Sequence, residues 1–341
     1  MKKYLLILSC ILISCQEEIT LDLPQAEDKL VVEGSIEPGF PAYVILTKNQ
    51  RYFESIDINT YNSLFVDDAI VKVWAYNDYG TKDSVMLEQL PPPFDSIPIY
   101  TDVNLINNPG LEMLGEVGKT YYLEIKWNNQ IITAETTIPT PTPLDCLWVE
   151  QSETADKDFK CDIRAVYSDD ANIQNNILIR SKRIEHWKRD TISGEIKNEN
   201  DPQLLLIDAG PDVLLNGESF ETYFPRPNNY GESGFPSGSY NTDHYKTFNN
   251  NGTEDTVFLP HDIVLIKFCQ IDEPSLKFWR VVVRQFATNG NPFAEPINLV
   301  SNINNGLGAW TGYGAVYYKV PIIKDIVIKN QYDSLLVLDI F

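Results

Sequence analysis

The stretch Gly118-Lys119-Thr120-Tyr121-Tyr122-Leu123-Glu124-Ile125-Lys126-Trp127-Asn128-Asn129-Gln130-Ile131-Ile132-Thr133-Ala134-Glu135-Thr136-Thr137 decides the fold class. Tyr121 to Lys126 reads as a strand, Asn128-Asn129 turns the chain, and Ile131 to Thr137 returns beside it. Asparagine tolerates the left-handed backbone that a tight hairpin turn demands, so this is a β-hairpin with its turn written out. Upstream, Lys29 to Gly34 and Ala42 to Thr47 read as strands, the latter with Tyr43 and Ile45 on one face. Ala69 to Tyr76 alternates, and Asp83 to Leu87 can pair with it. Pro91-Pro92-Pro93 interrupts the ladder, because proline lacks the donor that a ladder needs. Short strands of this kind fold most economically as a sandwich. The expectation is therefore a mainly β protein whose residues 29–138 form an immunoglobulin-like or transthyretin-like sandwich.

Three prolines between Pro139 and Pro143 make a stiff boundary. Beyond it, residues 144–341 read as a second β-rich domain. Leu144 to Val149, Phe159 to Val166 and Asn176 to Arg183 are strands, and His261 to Gln270 is the clearest one. A long aperiodic loop spans about 221–256, and loops of that length are normally functional or disordered. One helix is expected at about 273–287, with Asp272 as its cap and Pro274 in its first turn. Leu276, Trp279, Val283 and Phe286 recur on one stripe that packs across a sheet. Ser334 to Phe341 reads as a terminal strand.

The amino terminus carries an address. Lys2 and Lys3 precede the apolar run Tyr4 to Ile13, which is too short to span a bilayer, and Leu12-Ile13-Ser14-Cys15 fits a bacterial lipobox. Residues 1–14 are expected to be removed as a lipoprotein signal peptide, with acyl chains on Cys15 and an acidic tether over 15–28. Gln16-Glu17-Glu18 resembles the short acidic signal that Bacteroidota place after the lipid-bearing cysteine of surface lipoproteins. The expected location is thus the outer membrane, lipid-anchored and facing the exterior.

Charge sharpens that expectation. The formal net charge is −21, and loss of Lys2 and Lys3 makes the processed chain more negative still. Such a surface is repelled by nucleic acid and by anionic lipid, so membrane attachment falls to the covalent lipid or to a protein partner. Of five cysteines, Cys146, Cys161 and Cys269 remain after processing and acylation. Cys146 and Cys161 lie on neighbouring expected strands and are the pair to test for a disulfide, three reduced thiols being the other reading.

No catalytic pattern emerges. There is no Gly-x-Ser-x-Gly elbow, no Walker loop and no His-Glu-x-x-His helix. The glycines from Gly306 to Gly314 have the wrong spacing for a cofactor loop, and no cofactor is expected. His186, His244 and His261 share no context, and Asp67-Asp68 and Asp169-Asp170 read as solvated turns rather than calcium ligands. Aromatic residues remain as candidates. Tyr223, Phe224, Tyr230, Phe235, Tyr240 and Tyr245 in the long loop, with Trp310 and Tyr313 at the glycine-rich turn, are candidate partner-binding residues, because rings bury much area at low entropic cost. The competing reading is that they plug the ends of a β domain. Deleting 225–250 is expected to weaken partner binding and to leave a soluble fold.

The chain resembles the Bacteroidota lipoprotein family labelled domain of unknown function 4249. The resemblance rests on the lipobox, Lys29 to Gly34, Asp68-Ala69-Ile70-Val71, Gly118 to Leu123, Asn291-Pro292-Phe293, Val300 to Ile303 and Gly306 to Trp310. It implies a neighbourhood of TonB-dependent outer-membrane receptors. A non-enzymatic accessory or binding subunit of a transporter-like β-barrel is then the expected role. The alternatives are a structural or assembly subunit of a larger outer-membrane complex and, further off, an extracellular glycan or peptide hydrolase.

Overall fold

The computed structural model describes residues 29–49, 61, 63–90, 97–153, 160–184, 188–189, 196–197, 203–211, 217–226, 238–248, 251–258, 260–288 and 299–328. The leader, Cys15, the tether and the terminal stretch Ser334 to Phe341 lie outside them. The protein is mainly β, as expected. Its first half holds β1 (Leu30–Ile36), β2 (Tyr43–Lys48), β3 (Ile70–Tyr76), β4 (Lys82–Gln89), β5 (Ile99–Thr101), the short α1 (Asn104–Asn107), β6 (Thr120–Trp127) and β7 (Gln130–Thr137). Next come β8 (Cys146–Gln151), β9 (Lys160–Ser168), β10 (Asn176–Ile184), β11 (Lys188–Arg189), β12 (Ile196–Lys197), β13 (Gln203–Pro211), β14 (Ser219–Phe224), β15 (Tyr240–Asn241), β16 (His244–Phe248) and β17 (Glu254–Phe258). The described chain ends with β18 (Ile263–Gln270), α2 (Glu273–Thr288), β19 (Leu307–Gly312), β20 (Gly314–Pro321) and β21 (Val327–Ile328).

The hairpin of β6 and β7 forms as its turn residues dictate. Trp127 lies opposite Gln130, and Asn128 and Asn129 take φ values of 48° and 61°. Two successive left-handed residues make the turn whose twist matches that of the strands. Around this hairpin an eight-stranded sheet runs β19-β1-β2-β5-β4-β3-β6-β7 and nearly closes on itself. Thr133 of β7 and Asn304 exchange backbone hydrogen bonds of 3.2 and 2.8 Å where its two ends meet. Val32, Leu46, Val71, Leu123, Ile132 and Trp310 fill its interior.

The proline-rich boundary therefore marks where one sheet stops, not where a unit ends. Residues 299–312 return from the far side of it, and β19 pairs in parallel with β1. Close approach is possible because position 308 has no side chain: Gly308 sits at φ 96°, where a Cβ would come within 1.9 Å of the Val32 carbonyl oxygen. Trp310 then enters the core against Gly34, its Nε1 donating to the Tyr121 carbonyl at 3.1 Å.

In the second half, the sheet β13-β10-β18-β20 faces the sheet β14-β9-β8-β21. Leu147, Ile163, Tyr167, Val264, Ile266 and Tyr318 pack between them. The opposite face of β18, through Leu265 and Cys269, packs with Leu276 and Trp279 of α2 and with Ala309 of β19. Burial on both faces explains why β18 reads as an almost unbroken apolar run. Asp272 caps α2 as expected, accepting from Ser275 N at 3.0 Å. Leu276, Trp279 and Val283 face that core as the stripe requires; the side chain of Phe286 lies outside the described residues. No helix among the described residues is long and apolar enough to cross a membrane.

Candidate functional site

The eight candidate aromatics do not form one surface. Tyr223 on β14 is 53 % exposed, whereas Phe224, Tyr240, Trp310 and Tyr313 are buried. Those four are corrected from partner contacts to core residues, and the reason is local. Phe224 follows Tyr223 on a strand and so points to the opposite face. Tyr240 lies opposite Cys161 in β15 and donates its hydroxyl to the Pro225 carbonyl at 2.8 Å. Trp310 plugs the first sheet, and Tyr313 lies beneath the Lys267 ammonium, 4.0 Å from its ring centroid. Tyr245 sits on β16 opposite Val257, with its side chain outside the described residues, as are Tyr230 and Phe235 entirely. Deleting 225–250 would remove Tyr240 from the core, so point substitutions are the sound test.

Tyr223 has neighbours the sequence did not single out. The pairings Val327–Trp148, Trp148–Arg164 and Arg164–Tyr223 set these four side chains in one row across β21, β8, β9 and β14. The row faces outward, because Leu147, Val149, Ile163 and Ala165 occupy the inward phase of the same strands. Val327 is 61 % exposed, and Trp148 and Arg164 are half-buried. Glu150 holds the row together: its carboxylate accepts from Trp148 Nε1 at 2.9 Å and ion-pairs with Arg164 Nε at 3.0 Å. Glu221 approaches Arg164 Nη1 at 3.4 Å, and the guanidinium lies 5.9 Å from the Tyr223 ring centroid. A tryptophan in the outward phase of an alternating strand was the signal available in the sequence.

A second polar assembly lies buried in the seam between the two halves. Glu37, just past β1, receives both the Lys267 ammonium and the Tyr317 hydroxyl. Lys267 and Tyr317 are directly opposed on β18 and β20, and Arg180 on β10 opposes Lys267 from the other side. Thr136 Oγ1 donates to Asp272 Oδ2 at 2.7 Å, and Gly312 N donates to Thr136 Oγ1 at 2.7 Å. Thr137 N also reaches Asp272, at 3.1 Å, so the cap of α2 is tied to β7. Trp279 Nε1 donates to Thr311 Oγ1 at 3.2 Å.

Burial raises the Tyr317 phenol well above its ordinary range, with the Glu37 carboxylate adding to the effect. Burial likewise raises Tyr313, against the pull of Arg180, and pushes the Cys269 thiol up to about 12. These three groups hold their protons through the physiological range.

The remaining candidates resolve individually. Cys146, Cys161 and Cys269 are free thiols, which corrects the disulfide expectation. Cys146 lies opposite Val166 and Cys161 opposite Gln151, at opposite ends of the same strand pair. Five residues of strand separate them by on the order of 16 Å, far beyond disulfide reach. Asp169 accepts from Tyr167 OH, Asn175 Nδ2 and Gly217 N at 3.2, 2.7 and 2.9 Å, which spends its oxygens on the protein. No group of three His, Cys, Asp or Glu side chains among the described residues could hold a metal ion.

With this geometry in place, comparison with known proteins identifies the family. The chain belongs to the family described as Domain of unknown function (DUF4249), which matches residues 16–317. No curated protein matches it.

Proposed function

We propose that this DUF4249 member is a lipid-anchored, non-enzymatic accessory subunit that docks to an outer-membrane β-barrel through the outer face of the sheet β14-β9-β8-β21. The observation that carries the reading is the row Val327, Trp148, Arg164 and Tyr223. Tryptophan, tyrosine and arginine dominate the energetics of protein interfaces, and here all three stand on rigid strands rather than on loops. Glu150 and Glu221 fix the guanidinium, which lowers the entropy lost when a partner contacts it.

The lipobox at Cys15 supports the location, since the strongly acidic chain has no electrostatic means of holding an anionic lipid surface. The resemblance to lipoproteins found beside TonB-dependent receptors supports the kind of partner. The test is co-purification from gently solubilised membranes of the wild type and of Trp148→Ala/Tyr223→Ala. A barrel protein retained by the wild type and lost by the folded double variant supports docking at this face. Equal recovery by both places the contact elsewhere.

A further inference from the structure

The geometry points to a binding site for a small organic carboxylate at Arg180, in the seam between the two halves of the protein. Arg180 keeps only 8 % of its surface. Its Nε has no acceptor, and no carboxylate ion-pairs with its guanidinium among the described residues. Its one direct aromatic contact is the Trp279 ring, 5.5 Å from the guanidinium carbon. Arginine stays protonated in proteins, so this is a fixed positive charge withdrawn from water with its donors unspent. A single cation–π contact offsets far less than the cost of dehydrating such a charge. Neighbouring Lys267 differs in this respect, because Glu37 neutralises it.

The groups around Arg180 are of the kind that receive an anion. Tyr313, Tyr43 and Glu33 lie within electrostatic range of the guanidinium. Burial raises both phenols, so Tyr43 and Tyr313 stay neutral and carry hydroxyl protons. A planar guanidinium fork matches a planar carboxylate in a bidentate pair, and neutral hydroxyls can complete its shell. Glu33 and Glu37 would oppose a second negative charge, which favours a monoanion over a phosphate dianion. The acid end of a slim molecule would reach the guanidinium through the 8 % of the Arg180 surface that stays open. Trp279, Leu178 and Ala309 of the same core offer apolar contact to its body.

This inference is independent of docking at the outer face, and each can fail without the other. The test is side-chain NMR of the isotope-labelled protein titrated with propionate, with its neutral twin propionamide, and with sulfate. The Arg180 Nε–H resonance is assigned by its disappearance in Arg180→Lys. Propionate is expected to move that resonance saturably and propionamide to leave it unmoved. Tyr43→Phe removes one donor without touching the charge and should weaken propionate binding about tenfold. No saturable movement with propionate, equal movement with propionamide, or unaltered affinity in Tyr43→Phe overturns the assignment. Sulfate binding as tightly as propionate overturns the carboxylate class.

Discussion

Replacing Trp310 by alanine interrogates the least expected feature of the fold, the closing of the first sheet by a strand from the far end of the chain. The indole is wholly buried and sits over Gly34, which has no side chain of its own to fill the space it leaves. Truncating a buried tryptophan costs about 3–5 kcal/mol when the site cannot collapse. The Tyr121 carbonyl also loses its donor, which adds about 1 kcal/mol. Asn302 grips the Trp310 backbone at both N and O, at 2.9 and 2.7 Å, so β19 itself keeps an anchor. The expected loss of about 4–6 kcal/mol is a large part of a typical domain's total stability of about 5–15 kcal/mol. Urea unfolding followed by circular dichroism reads that loss, and hydrogen exchange reads its extent. Amides of β6 and β7 and amides of β20 should lose protection together, because Trp310 on β19 is joined to β20 by the single residue Tyr313, which is buried in the seam. A loss below about 1.5 kcal/mol, or exchange enhanced only near β19, would refute the claim that this strand unites the two halves.

Three further outcomes follow from the buried chemistry. Lys267→Met should destabilise by about 3–5 kcal/mol by stranding the Glu37 carboxylate, and adding Glu37→Leu should recover most of that; thermal or urea denaturation of the pair of variants decides it. With Cys10 and Cys15 replaced by serine, Cys146 should be the thiol that a reagent labels in the folded protein, while Cys161 and Cys269 react only on unfolding. Burial pushes Cys161 from 9.0 to about 11, which leaves little thiolate. Stability should fall on the alkaline side: Cys161, Tyr167 and Tyr318 are raised by burial to about 11, 12 and 12, so the folded state binds their protons more tightly. That contribution is complete below their ordinary values of 9.0 and 10.0 and is lost as pH rises through the raised ones; a flat unfolding midpoint between pH 9 and 12 would contradict it.

Local rules made much of the fold readable. The Asn128-Asn129 turn, the alternation of β3, and the Asp272 cap with its Leu276 and Trp279 stripe each depend on neighbours in sequence, and each formed where expected. What escaped depends on partners far along the chain. Nothing near Gly308 says that it will lie against Val32, and so the parallel pairing of β19 was hidden. The same blindness turned Trp310 and Tyr313 into surface candidates, since a glycine-rich aromatic run reads alike whether it caps a loop or threads a core. Tyr240 was misplaced because β15 is only two residues long and carries no periodicity. Tyr223, the one candidate exposed among the described side chains, gained meaning only when strand pairing set it beside Arg164 and Trp148. Lys267 and Arg180 could not be read as paired across neighbouring strands from sequence, because the register that opposes them joins segments far apart in the chain.

The most direct test of the docking reading is site-specific photocrosslinking in intact cells, with a photoreactive aromatic amino acid placed at Tyr223 and, as a control, at Tyr79. Tyr79 is 93 % exposed on the turn between β3 and β4, away from the proposed face. Docking through the sheet β14-β9-β8-β21 predicts a covalent adduct with an outer-membrane β-barrel from position 223 and none from position 79. Adducts from position 79 alone, or none from position 223 in a protein that is exported and folded, would contradict it.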